Sequence, residues 1–348
     1  MTNAPRSAWT FALAAGWIIG GEREAPADPA SMQAPDAPAA RPVDLFPSHA
    51  PDPSAVGATK LPAHPVASAA ILGGLYLGFS SWAYLAWYAK HKPLGYFKWG
   101  GDGWLGPTTY AGGADKFGHA WATMGLARAG TVLLSDYGGY DHLTSSLVSA
   151  GLAETLFFFV EVKDGFFYEF SYSDLAGDTT GMALALLLDN VPRLDEMFDY
   201  RVEYVPSHAY RANVAHGSGL NRLNVAKDYS GETYLLAYHL GSIHALRDRP
   251  WGAWSRFVDL TIGFDSRGYK PAPPNEPSAA HQQNVFVGVS LNAQGLLDWL
   301  LEDRPSPRAR TARKLAHGLF EVFNLPFASF GLLEHTSSPR GTVDNGGA

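Results

Sequence analysis

The chain has 348 residues, enough for two ordinary domains or one domain with tails, and either buries a sizeable core. Charged residues make up 17% against the roughly 25% usual in soluble domains, apolar residues reach 46% and Trp, Tyr and Phe 13%, a balance that suits contact with lipid. A net charge of -7 with no concentrated basic face excludes a nucleic-acid partner, and the lack of cysteine excludes disulfides, thiolate metal ligands and a thiol nucleophile.

Residues 1–21 carry one positive residue, Arg6, and then the uncharged run Trp9 to Gly21, which has the length of a signal-peptide apolar region. The small-residue sites Ala12-Leu13-Ala14 and Ala25-Pro26-Ala27 are both imperfect cleavage motifs, so the segment reads either as a signal peptide or as an uncleaved apolar tail. Export is the expectation. Residues 22–65 shift to Ala, Pro and Asp, with ten prolines between Pro26 and Pro65, and read as a disordered tether.

Residues 66–200 form the expected helical domain. Val66 to Ala89 contains no formal charge and is long enough, at 1.5 Å per residue, for a helix to span a bilayer core. Trp82, Tyr84, Trp87 and Tyr88 gather at one end before Lys90, His91 and Lys92, like an interfacial belt with a charged stop. A helix embedded in or lying on a membrane is expected there, ahead of a buried core helix. Pro93 to Ala114, rich in Gly, Trp and Tyr, reads as a loop. Helical patterns follow over Asp115 to about Ser135, Leu143 to about Val162, and Ser173 to about Leu188.

The polar residues on these apolar helices carry the candidate chemistry. Asp115 and His119 are four apart and share a helix face, although Asp115 also reads as a helix cap after Gly112-Gly113. Glu154 and Glu161 are seven apart and punctuate the run Leu156 to Val160, so burial of at least one is expected. Ser171 with Asp174 fits a capping pattern at a helix start. Asp178 lies a turn further on, where capping does not explain it, and on a buried face it needs a cation or a hydrogen-bond donor.

The order Asp115-Lys116-x-x-His119, Glu161-x-x-Asp164-Gly165-Phe166, Phe170-Ser171-x-x-Asp174 and Gly181 resembles the YfiM-like family of predicted periplasmic lipoproteins of unknown function. A looser likeness reaches the VanZ-like membrane proteins. Farther on, Asp228 to Tyr234 and Gly263 to Leu297 also look like longer YfiM-like members. The lipoprotein cysteine is missing, so acylation is not expected, and Asp178 stands where the family leads one to expect an amide. The resemblance implies a location in the cell envelope and a shared site, without naming a reaction.

Residues 201–335 read as a mixed α/β part and residues 336–348 as a disordered tail. Phe257 to Phe264 alternates, with Val258, Leu260, Ile262 and Phe264 on one side and Asp259, Thr261 and Gly263 on the other, and Val285 to Leu291 does the same. Two half-buried strands joined by the Pro-rich loop Tyr269 to Gln283 predict an antiparallel hairpin, too few strands for an outer-membrane barrel. Arg308 to Phe323 reads as an amphipathic helix with Leu315, Leu319, Val322 and Phe323 on its apolar face. Its basic start, Arg308, Arg310, Arg313 and Lys314, needs something anionic nearby, either phospholipid head groups or the helical domain's own surface.

The expected fold is mainly α: a helical membrane-associated domain with a small antiparallel β-hairpin and a C-terminal amphipathic helix. The expected function is that of a periplasm-facing cell-envelope protein whose buried Asp/His/Glu cluster is structural or binding, with membrane lipid as its partner. The alternative is a metal-dependent or acid/base hydrolase acting on lipid or cell-wall precursors. There, Asp115, His119, Glu161, Asp164, Asp174 and Asp178 hold a divalent cation or set a carboxylate base beside His119. An oxygen-rich set with one imidazole suits Mg, Mn or Zn about equally. The sequence names no cofactor and no protein partner.

Overall fold

A computed structural model of the chain describes residues 63–89, 95–101, 103–217, 224–301 and 306–338. The expected signal segment, nearly all of the tether, the basic stop after Ala89 and the end of the tail lie outside these residues.

Helix α1, Pro65–Ala83, opens on a proline whose missing N–H costs nothing at a helix start, and a wider-wound turn, Tyr84–Tyr88, continues it. The short strand β1, Trp99–Gly100, follows. Helix α2, Ala114–Val132, begins directly after Gly112 and Gly113, whose φ of 60° and 82° only glycine adopts without strain. Helix α3 spans His142–Phe167, capped by the Asp141 carboxylate on the Thr144 N–H at 3.0 Å. Strand β2, Phe170–Ser171, pairs in parallel with β1 and pins the loop before α2 beside the start of α4, Tyr172–Asn190. Ser171 caps α4 by accepting from the Asp174 N–H at 3.2 Å, as the sequence pattern predicts.

Helices α2, α3 and α4 pack on one another around alanines: Ala120 and Ala127 from α2, Ala150 and Ala153 from α3, Ala185 from α4. Small residues let helix backbones approach, and Gly181 marks the closest point, where an added Cβ would overlap the Ala120 carbonyl oxygen. Apolar side chains are exposed on the outside of the bundle, among them Leu75 and Leu77 on α1 and Leu152 and Phe159 on α3. Two segments are long and apolar enough to cross a membrane, Pro65–Tyr88 and His142–Phe167, and most of the residues in the most apolar stretch of each are not buried.

After α5, Pro192–Met197, the chain builds a sheet that the expected fold class lacks. Its strands are β3 (Phe198–Tyr204), β4 (Glu232–His239), β5 (Val258–Arg267), β6 (Gln282–Leu291), β7 (Phe323–Asn324) and β8 (Ser329–Ser337), in the order β7-β3-β4-β5-β6-β8. All pairs are antiparallel except β3 with β7. Helices α6 (His208–His216) and α7 (His244–Arg247) decorate the connections, and α8 (Ala293–Leu301) and α9 (Pro307–Val322) precede the last two strands. A mainly α fold with a small hairpin is therefore wrong: this is a helical bundle joined to a six-stranded mixed sheet. The expected hairpin strands do pair, Val258 with Leu291 through Arg267 with Gln282, but as the middle of a larger sheet. The strand count used against a barrel thus fails, although β7 and β8 do not pair with each other among the described residues.

The sheet's two faces differ in polarity and in cover. The apolar sides of β3 to β5 meet the bundle at Tyr200, Val202, Tyr234 and Phe264, where the Phe117 ring stacks on Phe264 at 4.5 Å. Beyond that contact the same face is bare, with Leu260 45% and Ile262 55% exposed. The opposite face is buried and holds Asp199, Arg201, His239, Asp259 and Thr261.

In α9 the Arg313 guanidinium donates to Asp298 at 2.7 Å, and Trp121 of α2 donates to the Val322 carbonyl at 2.7 Å. Protein carboxylate and the helical bundle thus supply partners at both ends, while Leu315 and Leu319 stay exposed. The side chains of Arg308 and Arg310 lie outside the described residues.

Candidate functional site

The candidate residues arrive from three helices. Asp115 and His119 sit on the first two turns of α2, Glu161 and Asp164 near the end of α3, and Asp174 and Asp178 on the first two turns of α4. Because the β1–β2 pair and the Ser171 cap set where α4 begins, its carboxylates face the start of α2.

His119 Nδ1 lies 2.9 Å from Asp178 Oδ1, and the Thr123 hydroxyl donates to the same oxygen at 3.0 Å. Asp178 is fully buried and its Oδ2 accepts no hydrogen bond among the described residues. The bond to Asp178 turns His119 Nε2 toward Glu161 Oε1, 4.0 Å away. Glu161 is itself buried and accepts from the Ser171 N–H through Oε2 at 3.2 Å. One ligand atom each from His119, Glu161 and Asp174 falls within 4.8 Å of the others, the spacing of donors that could close on a metal ion.

Lys116 completes the cluster. Its ammonium lies 2.7 Å from Asp115 Oδ2 and 2.7 Å from Asp174 Oδ1, so Asp115 joins the site through the lysine and does not cap α2. Glu154 accepts from Thr179 at 2.7 Å, apart from the three donors. Asp164 turns to Tyr88, whose hydroxyl donates to it at 2.5 Å. Of the residues named from sequence, His119, Glu161, Asp174 and Asp178 come into one constellation, Asp115 reaches it through Lys116, and Asp164 faces another partner. Sequence reasoning quoted Lys116 in its motif without giving it a role, read Tyr88 only as part of an aromatic belt and passed over Thr123. The signal for Thr123 was its place one turn beyond His119 on the same face.

Among the described residues, the ion pairs of the cluster set Asp115, Glu161, Asp174 and Asp178 against Lys116 and His119 in a largely buried place. Burial alone would lower the imidazole pKa, but Asp178, with Asp174 and Glu161, holds it up at about 10. Carboxylates crowded in a low dielectric attract either protons or a cation. The side chains of His119 and Asp174 keep 19% and 16% exposure, which leaves a small ligand a way in.

Residues 101–190 match the model of a family described as predicted periplasmic lipoprotein (DUF2279). The cell envelope, on the periplasmic side, is where that description puts the protein, in agreement with the location read from the sequence. The matched stretch holds all of His119, Glu161, Asp164, Asp174 and Asp178 and none of the six-stranded sheet. No curated protein and no solved structure matches the chain.

Proposed function

We propose that the helical bundle of this envelope protein is a divalent-cation-binding module, with His119, Glu161 and Asp174 as ligands and Asp178 as the group that orients the imidazole. The observation that carries this reading is the convergence of those three donors within 4.8 Å around a surplus of carboxylates. A carboxylate on Nδ1 fixes the imidazole tautomer and leaves Nε2 to a metal, the arrangement that recurs behind metal-bound histidines. Lys116 neutralises one oxygen of Asp174 and limits how much charge the site must carry without a cation. The finer likeness to YfiM-like and, more distantly, VanZ-like proteins belongs to the same proposal.

The test is elemental analysis and calorimetric titration of the purified full chain with Zn, Mn and Mg. One cation per chain is expected, lost in His119→Gln and Glu161→Gln while the thermal midpoint in chelator shifts little, on the order of 1 kcal/mol for an exchanged hydrogen bond. Wild-type protein that binds none of the three metals overturns the reading.

The exposure of His119 and Asp174 favours one extension, hydrolysis of lipid or cell-wall precursors. Three protein ligands leave a fourth position for water, which a bound cation would acidify. Turnover of such precursors that needs both the cation and Glu161 is the expected sign, and a cation-loaded protein inert toward them removes the extension while leaving the binding module.

A further inference from the structure

We infer that the bare part of the sheet's apolar face rests on bilayer hydrocarbon. Strand register puts Leu236, Ile262, Val287 and Leu333 in one row across β4, β5, β6 and β8, with Leu260 and Val285 in the rows on either side. These six range from 39% to 74% exposed, and none is charged. The face continues, without a break in register, into the part that the bundle covers at Tyr234 and Phe264.

A soluble sheet with one bare face turns its polar residues to water and its apolar residues inward. Here the assignment is reversed: Asp199, Arg201, His239 and Asp259 occupy the covered face, and the aliphatic residues occupy the bare one. A partner protein would explain bare aliphatic residues on this face alone. It would not explain why the same chain also leaves apolar surface bare on two helices of membrane-crossing length, Leu75 and Leu77 on α1 and Phe158 and Phe159 on α3. One apolar solvent explains both, and the envelope location supplies it.

The sheet lies on the bilayer and does not cross it. Among the described residues, strand β7 pairs with only two residues of β3 and β8 is the other edge, so the sheet has open edges. Unpaired backbone groups are not tolerated inside hydrocarbon, whereas contact through the face leaves them at head-group level, within reach of water.

The chain has no native cysteine, so single-cysteine spin labelling of the full-length protein is clean. Ile262→Cys and Val287→Cys would be labelled in vesicles of phosphatidylethanolamine and phosphatidylglycerol, with Glu276→Cys, 58% exposed in the β5–β6 loop, as reference. At the two sheet positions, collisions with oxygen should exceed those with a water-soluble nickel chelate, and the order should reverse at the reference. Chelate-dominated collisions at 262 and 287 would show a water-facing sheet and overturn the proposal. Exclusion of both reagents would overturn it too, because protein, either a second copy or another segment of this chain, would then cover the face. Recovery of the full chain free of the vesicles would likewise overturn it. None of these outcomes bears on cation binding, so the two proposals fail separately.

Discussion

The molecule buries two clusters of charge, and they differ in kind. Behind the sheet, Arg201 donates to Asp259 at 2.7 Å and also to Asp199, while His239 joins the same two carboxylates at 2.7 and 3.1 Å. Two anions meet two cations, and Asn292 adds a hydrogen bond to Asp259 at 2.9 Å. In the bundle, four carboxylates meet two cations, and one oxygen of Asp178 accepts nothing among the described residues. Each cluster leaves an aspartate oxygen without a hydrogen bond among the described residues, Asp199 Oδ1 behind the sheet and Asp178 Oδ2 in the bundle. What separates them is charge: the sheet network pairs its two anions with two cations and ties β3, β4 and β5 together, whereas the bundle cluster holds more carboxylates than cations, a difference that a divalent ion would make up. A buried ionic cluster is therefore informative through its charge sum, more than through its burial.

The sharpest break between the two clusters is rescue. Arg201→Met strands two buried aspartates beside a single imidazole, and such a loss costs about 3–5 kcal/mol. Chemical denaturation should record it whether or not divalent cation is present. Lys116→Met removes positive charge from Asp115 and Asp174, and here added cation should restore the midpoint. Equal rescue of both variants would erase the distinction.

The next effect is a pH dependence to which the sheet contributes through His239 and the bundle through His119. Burial works against a charged His239, but Asp199 and Asp259 outweigh it and hold its pKa up at about 9, above the ordinary 6.5. A raised folded-state pKa contributes stability that is complete below pH 6.5 and is lost as the pH climbs through 9, on the order of 3 kcal/mol at about 1.4 kcal/mol per unit. Denaturation at pH 6 and pH 9.5 in the presence of chelator should show that loss. His239→Gln should reduce the slope and leave the part that His119 contributes, and a variant with an unchanged slope would remove His239 from the account.

Within the bundle, Asp178→Asn keeps every proposed ligand and changes only the group behind the imidazole. Loss of a carboxylate in that position typically weakens metal binding about 10- to 100-fold. Titration should find the cation site still present and weaker; unaltered affinity would make Asp178 a packing residue. The smallest effect is the cap: Ser171→Ala should cost about 1 kcal/mol by freeing the Asp174 N–H. That loss should appear in the thermal midpoint and leave cation stoichiometry unchanged.

Much of the bundle was legible because its signals are local. Helical periodicity located α2, α3 and α4 to within a few residues, and the seryl cap before Asp174 was readable from spacing. Asp178 stood out because no local rule accounts for a carboxylate on an apolar helix, and it proved to be the partner of His119. Asp164 carried the same kind of signal and went elsewhere, to Tyr88, because its direction depends on how α1 packs against α3. The sheet was harder. Strand β3 alternates, with Phe198, Tyr200 and Val202 against Asp199, Arg201 and Glu203, but a strand with charge on every second residue reads as half-solvated. Strand β4 is apolar on both sides in its middle and has no period to read.

Periodicity, caps and the glycine pair before α2 are properties of a few adjacent residues, and the sequence determined them by itself: where helices begin, which positions share a face, which strand positions alternate. What only the tertiary structure decided is which of two faces is buried. The alternation in β5 separates Leu260 and Ile262 from Asp259 and Thr261, but it cannot say which set faces the protein. That choice rests on whether partners distant in the chain can satisfy the polar set. Arg201 meets Asp259 from 58 residues away, and Asn292 meets it from 33. With those partners in place, the charges could be buried without being left unpaired, and the aliphatic side was left outside.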